Sequence, residues 1–471
     1  MDTFKDSVVS QTTYLNVCDT VLSSFNIQLI FFYENEAGVD HFMDSTKLEQ
    51  AFYKTLVVFP SYAGVARMRS DGRLELVIDR DNLNMPVYRV SESDVPFGDL
   101  KAAKYSPKSW PPGLMTAAAI PLPDAETGVT KMLNAHVVRC KDNSGVVVYV
   151  CGHHIVADGN GMYTFVRRWA DEMRALVEGT PGPDYPLNFD RSSIFGPPSA
   201  ESMELSEIER KNLQSFFSTS LNEMCHKEIV DGGYDSNLYR INRADLDNLR
   251  RETLEFVSGG TRLSTNDVLT ALMSKTLAWA VKDSTADEAS EESAPASEVM
   301  EPPLQCVAFA YNIRPVLGES FANYIGNGLY IPSFTHPFDG SASAVTAQSL
   351  AEMALKVRNS VDAVKKHHVQ QFFASIEGDP EKVASTLAHD SPFKHTAILT
   401  NHFKLRVYEI NFGFGVATFV APRPYLARVC VRILPVSPPS NDIYVFINDT
   451  PAVLDSVRKN KFWNSLAELV Y

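Results

Sequence analysis

The chain has 471 residues, more than one compact hydrophobic core organises, so two domains are expected. Apolar residues make up 45% and charged residues 21%, an ordinary globular balance, and a formal charge of −14 argues against a nucleic-acid surface. The polar start MDTFKDSVVSQ has no secretory apolar core, and no apolar run approaches the roughly 18–20 residues of a membrane span, so no membrane association and a cytoplasmic location are expected.

In chain order, Phe25 to Tyr33 (FNIQLIFFY) reads as a buried strand. Asp44 or Ser45 is placed to cap a helix that turns Leu48, Phe52 and Leu56 inward and ends before Pro60. Arg73 to Asp79 alternates as a half-buried strand after the Asp71-Gly72 turn signal. Leu133 to Arg139 is expected to pair with Val146 to Cys151, a run of β-formers, across the turn at 141–145. The chain then stops at Gly152 and runs through His153, His154, Ile155, Val156, Ala157, Asp158 and Gly159. Behind them Met162, Phe165, Val166, Trp169, Met173 and Leu176 recur at helical spacing, with Asn160 as the expected N-cap and Gly179 as the stop. A histidine pair thus sits on irregular backbone held between a strand and a helix, where catalytic groups are often carried.

Residues 180–202 are rich in Pro, Gly and Ser and read as a crossover connection, taken to span 181–222 between domains at 1–180 and 223–471. Ser264 and Asp267 have capping-box spacing ahead of a helix that buries Val268, Leu269, Leu272, Met273 and Leu277. Lys282 to Pro303 holds seven acids and one base and is expected to be a loop outside the chemistry. Gln305 to Ile313 reads as a strand leading to Arg314, Leu329 to Ile331 as a short strand, and Ala347 to Val364 as an amphipathic helix. His395 to Asn401, Val429 to Leu434 and Ile443 to Ile447 are the last expected strands, before a helix from Pro451. Strands and helices alternate in both halves, so the class is α/β. Six scattered cysteines without a CxxC read as reduced thiols, and no metal site is expected.

A neutral imidazole near pH 7 can take a proton from an alcohol or amine as it attacks, worth about 10²–10⁴-fold in rate. HxxxD alone is weak evidence. HH before it, G after it, and strand-then-helix around it make the pattern specific.

HHIVADG, 153–159, resembles the active-site motif of the BAHD acyltransferases, CoA-thioester-dependent enzymes of the chloramphenicol-acetyltransferase-like superfamily. The condensation domains of peptide synthetases share the HHxxxDG form. Further segments resemble BAHD signatures in the family's order: LVVFPSYAGVARM at 56–68, FDRS at 189–192, STNDVLTALMSKTLAWA at 264–280, YIGN at 324–327 and NFGFG at 411–415.

The resemblance implies an α/β fold of two similar chloramphenicol-acetyltransferase-like domains, each a mixed sheet with flanking helices, joined by a crossover loop. It implies a monomer that moves an acyl group from acyl-CoA, its co-substrate, to a hydroxyl, in preference to an amine, of a small specialised metabolite. His154 would be the general base, without a covalent acyl-enzyme, while His153 faces away. Asp158 would hold the loop by a salt bridge to Arg314. Gly159 would allow close backbone approach. Asn411, Gly413 and Gly415 would give a structural loop away from the reacting atoms, with Asn411 standing where the family usually has Asp. His402 stands where the family often has Trp, and His402 or Thr400 would donate to the tetrahedral oxyanion or to the acceptor. Ser264, Thr265 and Asn266 would contact CoA, whose phosphates demand a local Lys/Arg patch not identifiable in the sequence. Two alternatives remain, a condensation-type enzyme using carrier-protein thioesters and a non-catalytic binding protein on the same fold. A Ser-His-Asp hydrolase is disfavoured because no G-x-S-x-G elbow is present.

Overall fold

The computed structural model describes residues 1–22, 25–70, 74–118, 120–192, 194, 233–285, 304–338, 345–377, 395–424 and 430–471. Most of the expected crossover, most of the acidic loop and the Asp71-Gly72 turn lie outside the described residues.

Two mixed sheets form the frame, and the α/β expectation holds. The first sheet is built from β1 (Asn26–Glu34), β2 (Val87–Glu92), β3 (Leu133–Arg139) and β4 (Gly145–His153). β3 and β4 are antiparallel, with Val137 opposite Val148, and β1 lies antiparallel on the far side of β4, with Asn26 opposite His153. β4 is buried along its whole length, which is why it reads as a continuous run of β-formers.

The second sheet has seven strands. Its members are β5 (Asp235–Ile241), β6 (Leu304–Phe309), β7 (Ser333–Pro337), β8 (His395–Asn401), β10 (Cys430–Pro435), β11 (Ile443–Asp449) and β12 (Ala467–Leu469), in the order β7-β6-β8-β10-β11-β5-β12. β9 (Phe419–Pro422) lies between β8 and β10 in sequence but pairs antiparallel with β1, Phe419 opposite Phe32. One strand from the second half of the chain therefore completes the first sheet and covers its edge. Sequence patterning found neither this exchange nor β2 and β5.

Seven helices matter to the site: α1 (Val17–Val21), α2 (Ser45–Val58), α3 (Gly159–Glu178), α4 (Arg243–Leu254), α5 (Thr265–Ser284), α6 (Ala347–Asp362) and α7 (Pro451–Lys459). α3 buries Met162, Phe165, Val166, Trp169 and Met173 against the first sheet and α2, each contributing about 1.5–3 kcal/mol. Trp169 also donates its indole N–H to the Leu48 carbonyl at 2.9 Å. α3 ends at Gly179, whose φ of +67° is the left-handed cap glycine tolerates. A second core lies between the larger sheet and helices α4 to α7. A further cluster joins the two sheets face to face, with Phe32, Tyr149 and Phe419 on one side and Leu434 and Phe446 on the other. Among the described residues no helix is long and apolar enough to cross a membrane.

Candidate active site

His154 follows the last residue of β4, and its main-chain N–H donates to the Phe25 carbonyl beside β1 at 3.0 Å. The next turn carries the chain into α3. Asn160 is not the helix cap: Asp158 holds that place, accepting the Gly161 N–H at 3.0 Å. The reason is that Asp158 reaches the first-turn amide while its other bonds hold the loop below.

Those other bonds go to Arg314, at the start of a short turn of helix that follows the strands at 304–309 and 311–312. Its Nη1 donates to Asp158 Oδ2 at 2.8 Å and its Nη2 to Oδ1 at 3.0 Å, a two-pronged pair with both residues buried, 0% and 3% exposed. The Gly328 N–H adds a bond to Oδ2 at 2.9 Å. Burial alone would push the Asp158 carboxyl up, but the guanidinium and these amides hold it below the usual carboxylate range. Arg314 also donates to the carbonyls of Tyr324 and Gly326, pinning the YIGN turn against the histidine loop. Gly328 must lack a Cβ, which would stand 2.7 Å from Arg314 Nη1. Gly159 faces no such crowding, since a Cβ there would meet Leu405 at 3.6 Å, an ordinary contact. The close approach falls at Gly161, 2.7 Å from Ala157 Cβ.

The YIGN turn sets the state of His154. Asn327, buried, donates its Nδ2 to Asp19 Oδ1 at 2.8 Å and to the His154 carbonyl at 2.8 Å. Its amide oxygen is thereby turned to His154 Nδ1, 2.9 Å away. An amide oxygen only accepts, so Nδ1 carries the proton and Nε2 keeps its lone pair. Desolvation lowers the His154 pKa below its ordinary value, outweighing the opposing pull of Asp158, so the ring is neutral at pH 7.

Asp19, at the start of α1, is held by Arg191 Nη1 at 2.7 Å, and Arg191 also donates to the Val156 carbonyl. Two buried carboxylate–arginine pairs, Asp158–Arg314 and Asp19–Arg191, therefore brace the histidine loop. Asp19 and Asn327 were missed by sequence reading. Asn327 was quoted only as part of YIGN, and Arg191 only as part of FDRS. Spacing carried no signal for Asp19, which lies 308 residues from Asn327.

His153 is buried and accepts the Ile155 N–H at Nδ1, and burial, aided by His154, brings its pKa down to about 3. His402 lies beyond the end of β8. Its ring stands edge-on to Tyr163 at 6.1 Å, and its Nδ1 is buried without a partner. Burial brings its pKa to about 3, and nearby Arg432 and His154 add to that, so His402 stands beside the candidate base and is neutral. Thr400 is the neighbour of Arg432 on β10.

The NFGFG loop lies elsewhere. Gly413 packs against Arg174 and Val177, late in α3, about 20 Å along the helix from His154 at 1.5 Å per residue. Gly413 and Gly415 have φ of +97° and +99°, and the Asn411 side-chain oxygen accepts both their N–H groups at 2.8 and 3.1 Å. Those bonds need an acceptor and no charge, so Asn serves there. Phe412 is buried edge-on against Tyr33 and Trp169.

Ser264 caps α5 with Asp267 in a reciprocal capping box. Asn266 accepts from Asn401 Nδ2 at 2.6 Å, which ties the start of α5 to the end of β8 beside His402. Next to Ser264 and Thr265 opens a recess of about 420 Å³ lined by Arg243, Arg250, Arg251 and Arg262. Asp247, also in its wall, is bonded to Arg243 at 3.0 Å. The recess gathers four arginines in a chain whose formal charge is −14. Among the described residues no cluster could hold a metal ion.

The rice (Oryza sativa subsp. japonica) protein Hydroxycinnamoyltransferase 1 is 22% identical over 452 residues, covering 94% of this chain and 93% of that protein. Among solved structures, F. graminearum TRI101 in complex with coenzyme A and T-2 mycotoxin superposes with a TM-score of 0.73 at 13% identity, over 98% of this chain and all of that one. Vinorine synthase superposes with a TM-score of 0.60 at 15% identity, over 95% of each chain. These likenesses show the fold. The family model described as Transferase family matches residues 5–461, nearly the whole chain, and with the two-sheet architecture it places this protein in that family, the BAHD acyltransferases.

Proposed function

We propose that the protein transfers an acyl group from an acyl-CoA thioester to a hydroxyl of a small molecule, with His154 Nε2 as the general base. The observation that carries this reading is the polarity of Asn327, whose two donor bonds leave its oxygen facing His154 Nδ1. Nε2 takes the acceptor's proton as its oxygen attacks the thioester carbonyl. The tetrahedral intermediate bears an oxyanion, for which His402 or Thr400 is the candidate donor. Collapse breaks the C–S bond, and the protonated Nε2 returns its proton to the leaving thiolate. No bond to the protein forms.

The arginine recess beside Ser264 and Thr265 suits the phosphates of CoA, and the Asn266–Asn401 contact leads from there towards His402. In an acidic chain, four arginines around one recess are a local attraction for a polyanion. That TRI101 was solved with coenzyme A supports the choice of donor.

The test is thiol release from a panel of acyl-CoA donors with a panel of alcohols. Turnover by wild type and its loss in His154→Ala are expected. No release from any acyl-CoA, with release from acyl-carrier protein, would move the protein to the condensation-type reading. Turnover unaffected by His154→Ala would remove the base.

A further inference from the structure

Beyond His402, the space between the two sheets carries positive charge that no described carboxylate neutralises. Arg423 follows β9. Its Nη1 donates to Gln28 Oε1 at 2.8 Å and to the Ala117 carbonyl at 2.7 Å, both neutral acceptors, and its Nε is buried without a partner. Arg432, on β10, donates Nη1 to the Arg423 carbonyl at 3.3 Å. Neither guanidinium forms a salt bridge with a described residue. By contrast, Arg191 and Arg314 each meet an aspartate.

Strand register fixes where this charge sits. Arg432 is opposite Phe446 and two residues before Leu434, and both of these belong to the cluster between the sheets. Alternation along β10 therefore turns Arg432 to the same face. Thr400 is its neighbour on β8, and His402 comes two residues later. On the other sheet Gln28, opposite Cys151, also accepts from the Tyr149 hydroxyl at 2.6 Å, so its oxygen is shared and adds no charge. Arg432, whose neighbour Ile433 accepts the His402 N–H at 2.8 Å, thus stands near His402, and Arg423 stands beside Arg432. Desolvating a cation without a counter-charge is costly, and the cost is recovered if the counter-charge arrives with a ligand.

We propose that Arg423 and Arg432 form a carboxylate subsite beside His402, so that the molecule held there is an organic acid. Its carboxylate lies either on the acceptor or at the far end of a dicarboxylic acyl group. The proposal rests on the acyl-transfer reading and names the substrate class for it.

The test is titration calorimetry of the full chain with matched pairs. One arm uses 3-hydroxybenzoate and 4-hydroxyphenylacetate against their methyl esters. The other uses glutaryl-CoA against pentanoyl-CoA. In one arm the acid is expected to bind about 10-fold or more tighter than its neutral partner, as a charge-assisted bond implies. Arg432→Gln, and separately Arg423→Gln, should bring that ratio towards one while leaving the neutral partner's affinity unchanged. Arg423→Lys keeps the charge and should retain part of the preference, which separates lost recognition from misfolding. The arm that shows the preference identifies the source of the carboxylate. A ratio near one for every pair, or a preference untouched by all three variants, overturns the proposal. A wild type that binds them selectively but turns over no thioester would refute the acyl-transfer reading and leave the subsite standing.

Discussion

Asn327→Ala removes the acceptor of His154 Nδ1–H and two donor bonds, to Asp19 and to the His154 carbonyl. Asp19 keeps Arg191 and the Asn16 amide, so the brace survives in part. The imidazole loses the partner that fixed its tautomer and its tilt. Losing hydrogen bonds to buried groups costs about 1–3 kcal/mol, and if all of it is felt in the transition state kcat falls about 5- to 150-fold. KM for acyl-CoA should change little, because Asn327 lies behind the ring, on the side away from Nε2. Asn327→Asp gives the complementary test. In wild type burial holds the His154 pKa below its ordinary 6.5, so the base is neutral and the rate stays flat as pH falls from 8 to 7, dropping only at lower pH. An aspartate at 327 would favour the imidazolium and move that acid limb to higher pH. The assay is the pH profile of thiol release under saturating donor. An undiminished kcat for Asn327→Ala, together with an unmoved acid limb for Asn327→Asp, would refute the claim that this amide sets the base.

Three other outcomes are expected. Asp158→Asn leaves the buried Arg314 guanidinium uncompensated and should cost about 3–5 kcal/mol in denaturant unfolding, partly recovered by adding Arg314→Met. Because the folded Asp158 pKa is depressed, its stabilisation is complete above about pH 4 and is lost as pH falls through the folded value, so the wild-type advantage over Asp158→Asn should shrink in acid. His402→Ala should lower kcat about 10²-fold if its ring donates to the oxyanion, and an unchanged kcat would remove it from the mechanism. Arg250→Gln combined with Arg262→Gln should raise KM for acyl-CoA about 10-fold with kcat retained, and 3′-dephospho-CoA thioesters should show a smaller change if the recess holds that phosphate.

The single elements were largely legible. β4 announces itself as six β-formers in a row, and α3 by its apolar face from Met162 to Met173, because burial on two sides and burial on one side leave different periods in a sequence. The capping box at Ser264 was legible for the same local reason. The cap of α3 was misassigned because Asp158 does two jobs, and only the second, its bond to Arg314 156 residues away, makes clear which residue the loop presents to the helix. β2 and β5 went unread because burial along them does not alternate: β2 is half-buried or exposed throughout, and β5 is buried at four consecutive positions.

The order of residues alone determined the α/β class and the strand–HHIVADG–helix junction. Those are local properties, set by periodicity, turns and caps within some twenty residues. Tertiary structure alone decided which of His154's nitrogens is free, which arginines are neutralised and which are not, and that β9 crosses to the other sheet. Each of these depends on groups 156 to 395 residues apart being brought within 3 Å of one another, and nothing in the covalent chain records that proximity.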